Sequence, residues 1–330
     1  GGKFSDKNYP FSGGLHGVGI SVVNALSKRV EVKVFRDAKE HTMVFLEGEA
    51  HGGLDVKPSK ISKFHSGTVV RFWPDEQYFD HPKFSIKSLK HILKAKAVLA
   101  AGLSIKFIDE INKEEIEWKF ENGLQDYINE VTQEKEILPE VAFASATKAE
   151  NVFCDYAICW NVEGGETAQE SYVNLIPTIQ GGTHVNGMRT GITEALREYC
   201  ELHNLLQKNM KISAEDVWDG VNYIISLKMY EPQFSSQTKE RLSSREAAGL
   251  VQGLVKDSFS LWLNQNTSIA TQIAELAIQK AGRRLKAAKK IERKKIVSGP
   301  ALPGKLADCV GHDVATSEMY IVEGDGDGGS

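Results

Sequence analysis

The chain has 330 residues, of which 25% are charged and 41% hydrophobic, and its formal net charge is −4. This length exceeds what one hydrophobic core usually organises, so two or three domains are expected, and the slightly negative charge argues against a protein that coats nucleic acid with its whole surface. Because the cysteines (Cys154, Cys159, Cys200 and Cys309) form no Cys-x-x-Cys pair, and neither a membrane-spanning apolar run nor a basic-then-apolar leader is found, we expect a globular cytoplasmic protein with reduced thiols.

The first part of the chain mixes helical and strand patterns. A glycine-rich stretch, residues 1–19, runs directly into the first helical spacing. The apolar positions then predict, in chain order, a helix at 20–26, strands at 30–35 and 68–73, a helix at 88–101 that Gly102 ends, and a strand at 103–108. This mixture predicts an α+β fold in which helices cover one face of a sheet.

The second part begins after a change of composition around residues 138–151, where no strong periodicity is seen. From residue 152 the pattern predicts a second α/β unit, with strands at 153–161 and 170–176, a helix at 187–200 and a long amphipathic helix at 268–290 that ends in a basic run. Gly299-Pro300 and Pro303-Gly304 indicate a linker. A short apolar run, 319–322, then leads into an acidic glycine loop.

A phosphate-binding loop is the first candidate site. Residues 13–19 read Gly-Gly-Leu-His-Gly-Val-Gly and precede a helix, so their amides and the helix N-terminus could surround an anion. The loop lacks the Gly-Lys-Ser/Thr of a Walker A sequence, and no strand comes directly before it as in a dinucleotide fingerprint. From these residues alone, a mobile loop with a glycine hinge is an equally good interpretation.

Other candidates are charged groups. Lys3 and Lys239 could contact phosphate as point charges, although Gln237-Thr238-Lys239, between two helical patterns, also fits an ordinary polar loop. Glu323 and Asp325, after an apolar strand, suit Mg²⁺ because carboxylates are hard oxygen ligands; an acidic turn is the alternative. The basic run 283–295 could contact DNA phosphates or be a solvated helix. His16 and His184 are interpreted as structural.

Six groups of residues then follow one another in a fixed order: 2–4 with Tyr9 and 12–27, 66–68 with 72–74, 181–184, 233–239, 302–309 and 323–325. In this order they resemble the B subunits of bacterial type IIA DNA topoisomerases, gyrase and topoisomerase IV, over essentially the whole chain. Residues 237–245, together with Ile20, are more similar to topoisomerase IV than to gyrase.

The resemblance implies an architecture in several parts. Residues 1–125 would form a GHKL-type ATPase sandwich without its N-terminal part. Residues 126–295 would form a transducer domain with a ribosomal-protein-S5-like α/β fold that ends in a long basic helix. Residues 296–315 would be a linker, and 316–330 the beginning of a TOPRIM domain.

The resemblance also implies roles for particular residues. Gln237 and Lys239 would reach from the transducer domain to the γ-phosphate of ATP and act as the catalytic residues of this chain. Glu323 would be a Mg²⁺-linked carboxylate. DNA would lie near Lys289, Lys290 and Arg293. The remaining ATP-binding residues would be Lys3, Tyr9, Leu15, His16, Gly17, Val18, Gly19 and Thr68, of which Thr68 would help to hold adenine.

The function that the resemblance implies is that of the ATP-binding and ATP-hydrolysing subunit of a type IIA topoisomerase, with ATP and Mg²⁺ as cofactors. It would drive duplex strand passage, in decatenation and relaxation, together with a tyrosine-bearing A subunit. Its partners would be DNA and the A subunit of topoisomerase IV, in a heterotetramer of two A and two B subunits. The B subunits would dimerise on binding ATP, in the cytoplasm and close to the nucleoid, without a membrane partner.

Two departures from the family pattern lead to further expectations. The family's upstream helix, with its general-base Glu, Mg²⁺-binding Asn and adenine-reading Asp, is not in this sequence, so we expect the fragment to bind ATP poorly and to hydrolyse it negligibly. Gly326-Asp327 stands where the family has Ser-Ala. The alternatives are the gyrase B subunit, a GHKL-type clamp without DNA cleavage, and a non-catalytic scaffold.

Overall fold

The structure is a computed structural model that describes residues 11, 18–61, 65–81, 83–149, 151–207 and 210–295, with side chains through residue 287. The chain divides into two compact units, Gly1–Ile278 and Gln279–Ser330. The described helices are α1 (Gly19–Ala25), α2 (Ile86–Leu99), α3 (Leu124–Val131), α4 (Thr183–Leu202), α5 (Ala214–Trp218), α6 (Glu246–Gln265) and α7 (Thr267–Lys295).

The first sheet is antiparallel and follows α1. Its strands are β1 (Ser27–Arg36), β2 (Lys39–Leu46), β3 (Glu49–Ala50), β4 (Asp55–Pro58) and β5 (Gly67–Pro74). They lie in the order β3-β2-β1-β5, with β4 also paired to β2. Asp37 and Ala38 connect β1 to β2 with φ values of 52° and 57°, the left-handed pair that a tight hairpin turn requires.

In chain order, a small antiparallel hairpin comes between the strands of the two larger sheets. It consists of β6 (Ile105–Asp109) and β7 (Glu114–Trp118). Asp109 closes the turn, because its carboxylate accepts hydrogen bonds from the amides of Ile111 and Asn112, each at 3.0 Å. These bonds, the one from the Asn112 side chain and nearby Lys90 together lower the pKa of Asp109.

The second large sheet is mixed. Its strands are β8 (Ile137–Ala149), β9 (Val152–Asn161), β10 (Gln169–Val173), β11 (Ile176–Pro177) and β12 (Val221–Lys228), in the order β11-β10-β12-β9-β8. The β10–β12 pair is parallel and the other pairs are antiparallel. The connection from β10 to β12 contains α4 and α5, as a parallel crossover requires.

Both faces of this sheet are covered. Along β9 the side chains of Tyr156, Ile158 and Trp160 enter one core with α4, α6 and the start of α7, whereas Ala157 and Cys159 enter a second core with α2 and α3. This is the period-two alternation of a strand between two helical layers. Cys154, Cys159 and Cys200 are buried, and burial raises the pKa of each thiol.

Helices α4 and α6 approach each other through glycines. A Cβ at Gly187 would lie 2.4 Å from the Ala248 carbonyl oxygen, and one at Gly191 would lie 2.7 Å from that of Gln252. No side chain fits at these distances, so the two glycines set how closely α4 and α6 pack.

The structure confirms the α+β class and changes several of the predicted elements. Residues 138–151, which carry no strong periodicity, largely form strand β8, so the second sheet begins earlier than predicted. The segment 237–239 follows strand β12 and not a helix. Helix α4 starts at Thr183, four residues before the predicted start. Among the described residues, no helix has the length and apolar character needed to cross a membrane.

Candidate functional site

The N-terminus of α1 carries the two described residues of the predicted phosphate-binding loop. Val18 is the N-cap residue, with φ −93° and ψ −8°, and Gly19 is the first helical residue. Both are exposed. Within the described residues no side chain caps this helix start, and the first amides of a helix can bind an anion.

Helix α1 is attached to the first sheet by polar contacts. The Asn24 side chain donates to the carbonyl of Gly48 at 2.8 Å, and the Ser27 hydroxyl donates to the carbonyl of Val23 at 2.6 Å. None of its residues is buried. These two hydrogen bonds contribute to the attachment of α1 to the sheet.

Thr68, the predicted adenine-side residue, lies on β5. It pairs with Val34 of β1 and is exposed. Strand β5 lies at the end of the order β3-β2-β1-β5, so one of its edges is not paired within this described sheet. The structure thus places Thr68 on an outer strand, and its role toward adenine stays a prediction.

Gln237 and Lys239 lie at the tip of a closed loop, which we call the 233–243 hairpin. The amide of Ser243 donates to the carbonyl of Gln233 at 2.8 Å, and the amide of Ser235 to that of Arg241 at 3.1 Å. Phe234 and Leu242 form an antiparallel bridge between the two arms. The hairpin therefore presents its tip as a structured turn with Gln237 exposed.

The turn at the tip holds Lys239 in an unusual backbone conformation. The amide of Lys239 donates to the carbonyl of Ser236 at 3.1 Å, and the hydroxyls of Ser236 and Thr238 lie 2.7 Å apart. The φ of Lys239 is +60°, a region that side-chain-bearing residues seldom adopt. The surrounding hydrogen bonds thus impose the direction in which Lys239 leaves the backbone.

The base of the hairpin is fastened to residues 180–183, which we call the 180–183 strip. Leu242 forms a parallel bridge with Gly182, in which the Leu242 amide donates to the Gly181 carbonyl at 3.1 Å and the Thr183 amide to the Leu242 carbonyl at 3.2 Å. A further backbone hydrogen bond joins the same two segments, because the Gln180 amide donates to the Glu240 carbonyl at 2.9 Å. Residues 181–183, which belong to one segment of the family resemblance, are therefore bonded to the hairpin arm that directly follows another such segment, 233–239.

Phe11 connects the beginning of the glycine loop to the second sheet. Its ring centroid lies 5.2 Å from that of Phe153 on β9 and 5.3 Å from that of Tyr230, just after β12. Aromatic pairs at these separations attract each other beyond their buried area. The residue that precedes the loop thus lies against the segment that leads into the 233–243 hairpin.

His184 is a structural residue, in agreement with the sequence interpretation. It is fully buried, and its Nε2 lies 3.3 Å from the Thr178 hydroxyl, which in turn lies 2.7 Å from the hydroxyl of Ser171. Burial lowers the pKa of His184 to about 3. A histidine that is neutral and enclosed in this way contributes packing and one polar contact.

Several predicted site residues lie outside the described part of the chain, so their roles stay predictions. The backbone of Lys289, Lys290 and Arg293 belongs to α7, but their side chains are not described. Within the described ranges, no cluster of three or more His, Cys, Asp or Glu side chains is arranged to hold a metal ion. The undescribed predicted residues are Lys3, Tyr9, Leu15, His16, Gly17 and Glu323.

The sequence did not predict a polar cluster centred on Glu170. The hydroxyls of Tyr127 and Tyr172 each donate to this carboxylate at 2.5 Å, and His91 lies 4.0 Å from it. Burial, followed by the effects of Glu170, raises the pKa of both tyrosines. Tyr172 is a strand neighbour of Glu170, but Tyr127 and His91 are too far from Glu170 in the chain for a local pattern to indicate the cluster.

Comparison with known proteins identifies the family. The model of the DNA gyrase B family matches residues 123–293, just over half of the 330 residues. The chain belongs to this family. The family match begins close to the predicted start of the transducer domain at residue 126, but the predicted domain boundaries stay predictions.

Within the family, the resemblance to the B subunit of topoisomerase IV is confirmed. The chain is 58% identical over 330 residues to the DNA topoisomerase 4 B subunit of Pseudomonas aeruginosa and 56% identical to that of Escherichia coli K12. It is 36% identical to the DNA gyrase B subunit of Haloferax volcanii. The alignments cover all of this chain and 52% of each relative, so the chain spans about half of their length.

Solved structures of family members share the GHKL ATPase fold with this chain. The topoisomerase IV ATP-binding domain of Francisella tularensis, in complex with a small-molecule inhibitor, gives a TM-score of 0.71 at 42% identity and covers 83% of this chain and 75% of that one. The 43K ATPase domain of Thermus thermophilus gyrase B, in complex with an aminocoumarin, gives 0.72 at 29% identity, with 84% and 75% covered.

Proposed function

We propose that this chain is the nucleotide-responsive part of a topoisomerase IV B subunit, which binds and hydrolyses ATP to drive the passage of one DNA duplex through another. Residues 15–19, with Lys3, Tyr9 and Thr68, would bind the nucleotide. Gln237 and Lys239 would contact its terminal phosphate from the neighbouring domain. The sequence and structural similarity to topoisomerase IV B subunits supports the proposal.

One observation carries the proposed coupling between the two parts of the site. Phe11 packs against Tyr230, so the start of the glycine loop and the segment leading to the hairpin share one contact. The distance in sequence from Phe11 to Gly19 and from Tyr230 to Lys239 is short in both cases. This supports a convergence of the loop and Lys239 on one ligand.

The proposed chemistry follows from the groups that each element offers. A glycine-lined loop at the uncapped start of α1 offers amide donors to a triphosphate. A lysine ammonium and a glutamine amide at the hairpin tip offer donors to an oxygen of the terminal phosphate. Because that phosphate leaves on hydrolysis, contacts to it distinguish ATP from ADP and can shift the relation between domains.

The wider assembly belongs to the proposal as well. The tyrosine-bearing A subunit would cleave DNA in a heterotetramer of two A and two B subunits, with the B subunits dimerising on ATP binding. Mg²⁺ would be bound with Glu323, and Lys289, Lys290 and Arg293 would contact DNA. The enzyme would act in the cytoplasm, near the nucleoid. Family membership supports this assembly.

The primary test is Lys239→Ala in the full-length protein paired with its A subunit. We expect ATP-dependent decatenation to fall at least tenfold, the effect of losing one hydrogen bond between charged groups. The matched control is Lys113→Ala, since Lys113 also has a positive φ of 54° but lies in the β6–β7 turn. Unchanged decatenation by Lys239→Ala would contradict the role assigned to Lys239.

Gyrase is the second candidate function, because the family model carries its name and gyrase B structures share the fold. The two functions differ in a measurable product. Gyrase introduces negative supercoils into relaxed DNA, whereas topoisomerase IV decatenates and relaxes. ATP-dependent negative supercoiling by the full-length protein with its A subunit would therefore overturn the topoisomerase IV proposal and establish gyrase.

A further inference from the structure

Gln180 makes three hydrogen bonds to the two residues that follow Lys239. Its amide donates to the Glu240 carbonyl at 2.9 Å, and its side-chain amide donates to the Glu240 carboxylate at 2.7 Å. Its own carbonyl accepts from the Arg241 guanidinium at 3.2 Å. Gln180 therefore uses its backbone donor, its backbone acceptor and its side chain on the same short segment.

We propose that Gln180 is a positioning residue that directs Lys239 toward the terminal phosphate. The inference rests on the proposed function, in which Lys239 contacts that phosphate. Gln180 itself would not touch the nucleotide. It would act through Glu240, whose carbonyl and carboxylate it holds at the point where the backbone leaves Lys239.

The left-handed backbone of Lys239 explains why such an anchor is needed. The direction of the Lys239 side chain depends on its φ of +60°, and a strained conformation persists only when its surroundings hold it. On the N-terminal side, the bond from the Lys239 amide to the Ser236 carbonyl does so. On the C-terminal side, the Gln180–Glu240 hydrogen bonds hold the left-handed conformation of Lys239 in place.

Gln180 can hold the segment without being part of the hydrophobic core. It is exposed and lines a cavity of about 520 Å³ together with Gly181, Gly182 and Arg241. Packing therefore contributes little to its position, and the hydrogen bonds determine it. Substitution of its side chain removes the link to the Glu240 carboxylate while the protein still folds, since exposed positions tolerate such changes.

The 180–183 strip also connects Lys239 to a larger element. Helix α4 begins at Thr183, the last residue of the strip, and the Thr183 amide donates to the Leu242 carbonyl of the hairpin. A displacement of the hairpin tip when the terminal phosphate is lost would thus reach the first turn of α4 through Gln180 and its neighbours. The structure offers a continuous set of hydrogen bonds for this coupling.

The test compares three variants of the full-length protein, each paired with its A subunit. Gln180→Glu replaces the side-chain donor by a second carboxylate next to Glu240. The double variant Gln180→Glu with Glu240→Gln restores one donor and one acceptor with their places exchanged. The matched control is Gln169→Glu, which removes a 3.2 Å hydrogen bond to the Val221 carbonyl on a neighbouring strand and leaves the hairpin intact.

The readout is the preference for a non-hydrolysable ATP analogue over ADP, measured as the ratio of the two dissociation constants, together with kcat and KM for ATP hydrolysis. We expect Gln180→Glu to reduce the preference about three- to tenfold, the range that corresponds to the loss of one solvent-exposed hydrogen bond of ordinary strength. ADP affinity should stay unchanged, because ADP lacks the phosphate in question. The double variant should recover the preference, and Gln169→Glu should keep it.

The variant Lys239→Ala distinguishes a failure of the proposed function from a failure of the positioning inference. If Lys239→Ala leaves the preference unchanged, the proposed phosphate contact is wrong, and the positioning inference is overturned with it. If Lys239→Ala lowers the preference but Gln180→Glu does not, only the positioning inference is overturned. Equal losses of ATP-analogue and ADP affinity in Gln180→Glu, or no recovery in the double variant, would also overturn it.

Discussion

Gly182 lies against the backbone of Leu242 so closely that a Cβ at residue 182 would be 2.4 Å from the Leu242 carbonyl oxygen and 2.6 Å from its amide nitrogen. The φ of Gly182 is +138°, which L side chains rarely adopt. Both facts require glycine at this position. The contact joins the 180–183 strip to the 233–243 hairpin, and hence to Lys239.

Gly182→Ala tests this contact. We expect it to destabilise the hairpin by about 3 kcal/mol, because the added methyl group collides with backbone atoms and strains φ. Hydrogen–deuterium exchange at the amides of Leu242 and Thr183, which bridge the two segments, should accelerate. Gly165→Ala is the control, since Gly165 has φ +100° but no described atom beyond its chain neighbours within 4 Å of the position that an added methyl group would take, and it should cost about 1 kcal/mol.

The glycines between α4 and α6 give a second prediction. Gly187→Ala should lower the free energy of unfolding by about 2 kcal/mol, because its Cβ would lie 2.4 Å from the Ala248 carbonyl oxygen. Gly249→Ala should raise it by about 0.8 kcal/mol, since Gly249 is an exposed helical residue with open space around it. Thermal unfolding of both variants measures the difference, and a shift in the same direction for both would contradict the packing argument.

The spacing of apolar residues predicted the type of those elements whose sequence carries one clear periodicity. Helix α1 after the glycine loop, the apolar stripe of α2 and the long amphipathic α7 all have the expected type. Their boundaries shift by a few residues, most clearly at α4. Thr183 and His184 carry no helical apolar spacing, yet they form the first turn because the 180–183 strip fixes the residues just before them.

The elements that the pattern missed have physical reasons. Strand β8 contains a register irregularity between Leu138 and Phe143, which breaks the alternation that identifies a strand. Strand β12 is buried on both faces from Val221 to Leu227, so its sequence shows no alternation either. The Gln180–Glu240 contact spans 60 positions, and no spacing rule reaches so far. The family resemblance placed both segments in one order along the chain but predicted no contact between them.

The buried His184 predicts a pH dependence of stability. Its pKa is lowered to about 3 in the folded chain, from an ordinary value near 6.5, so below pH 6.5 the unfolded chain binds a proton that the folded chain does not. Stability should therefore be fully present above pH 6.5 and fall between pH 6.5 and about 3, with a slope of up to about 1.4 kcal/mol per pH unit from this residue.

Urea unfolding at pH 7, 6 and 5 measures this slope. His184→Gln should make the dependence on pH shallower, although it also lowers stability at pH 7 by disturbing a fully buried site. The control is His51→Gln, the same replacement at an exposed histidine, and His184→Gln should change the slope more than this control does. Identical slopes for His184→Gln and the unsubstituted chain would contradict the buried, neutral state of His184.

The backbone and the ammonium group of Lys239 can be tested separately with two substitutions. Both Lys239→Ala and Lys239→Gly remove the side chain, so both should lose the preference for an ATP analogue over ADP to the same extent. They differ in the backbone, because φ of +60° strains alanine but not glycine. Lys239→Gly should therefore make the hairpin more stable than Lys239→Ala by about 1 kcal/mol, measured by amide exchange at Leu242.

Lys113→Gly provides the comparison for this pair. Lys113 has φ of +54°, so its replacement by glycine relieves a similar strain in the β6–β7 turn, but it should leave nucleotide preference unchanged. If Lys239→Gly kept the preference that Lys239→Ala loses, the backbone of the turn would recognise the phosphate and the ammonium would not. If both kept it, the Lys239 ammonium would not recognise the terminal phosphate, and the role assigned to Lys239 would be wrong.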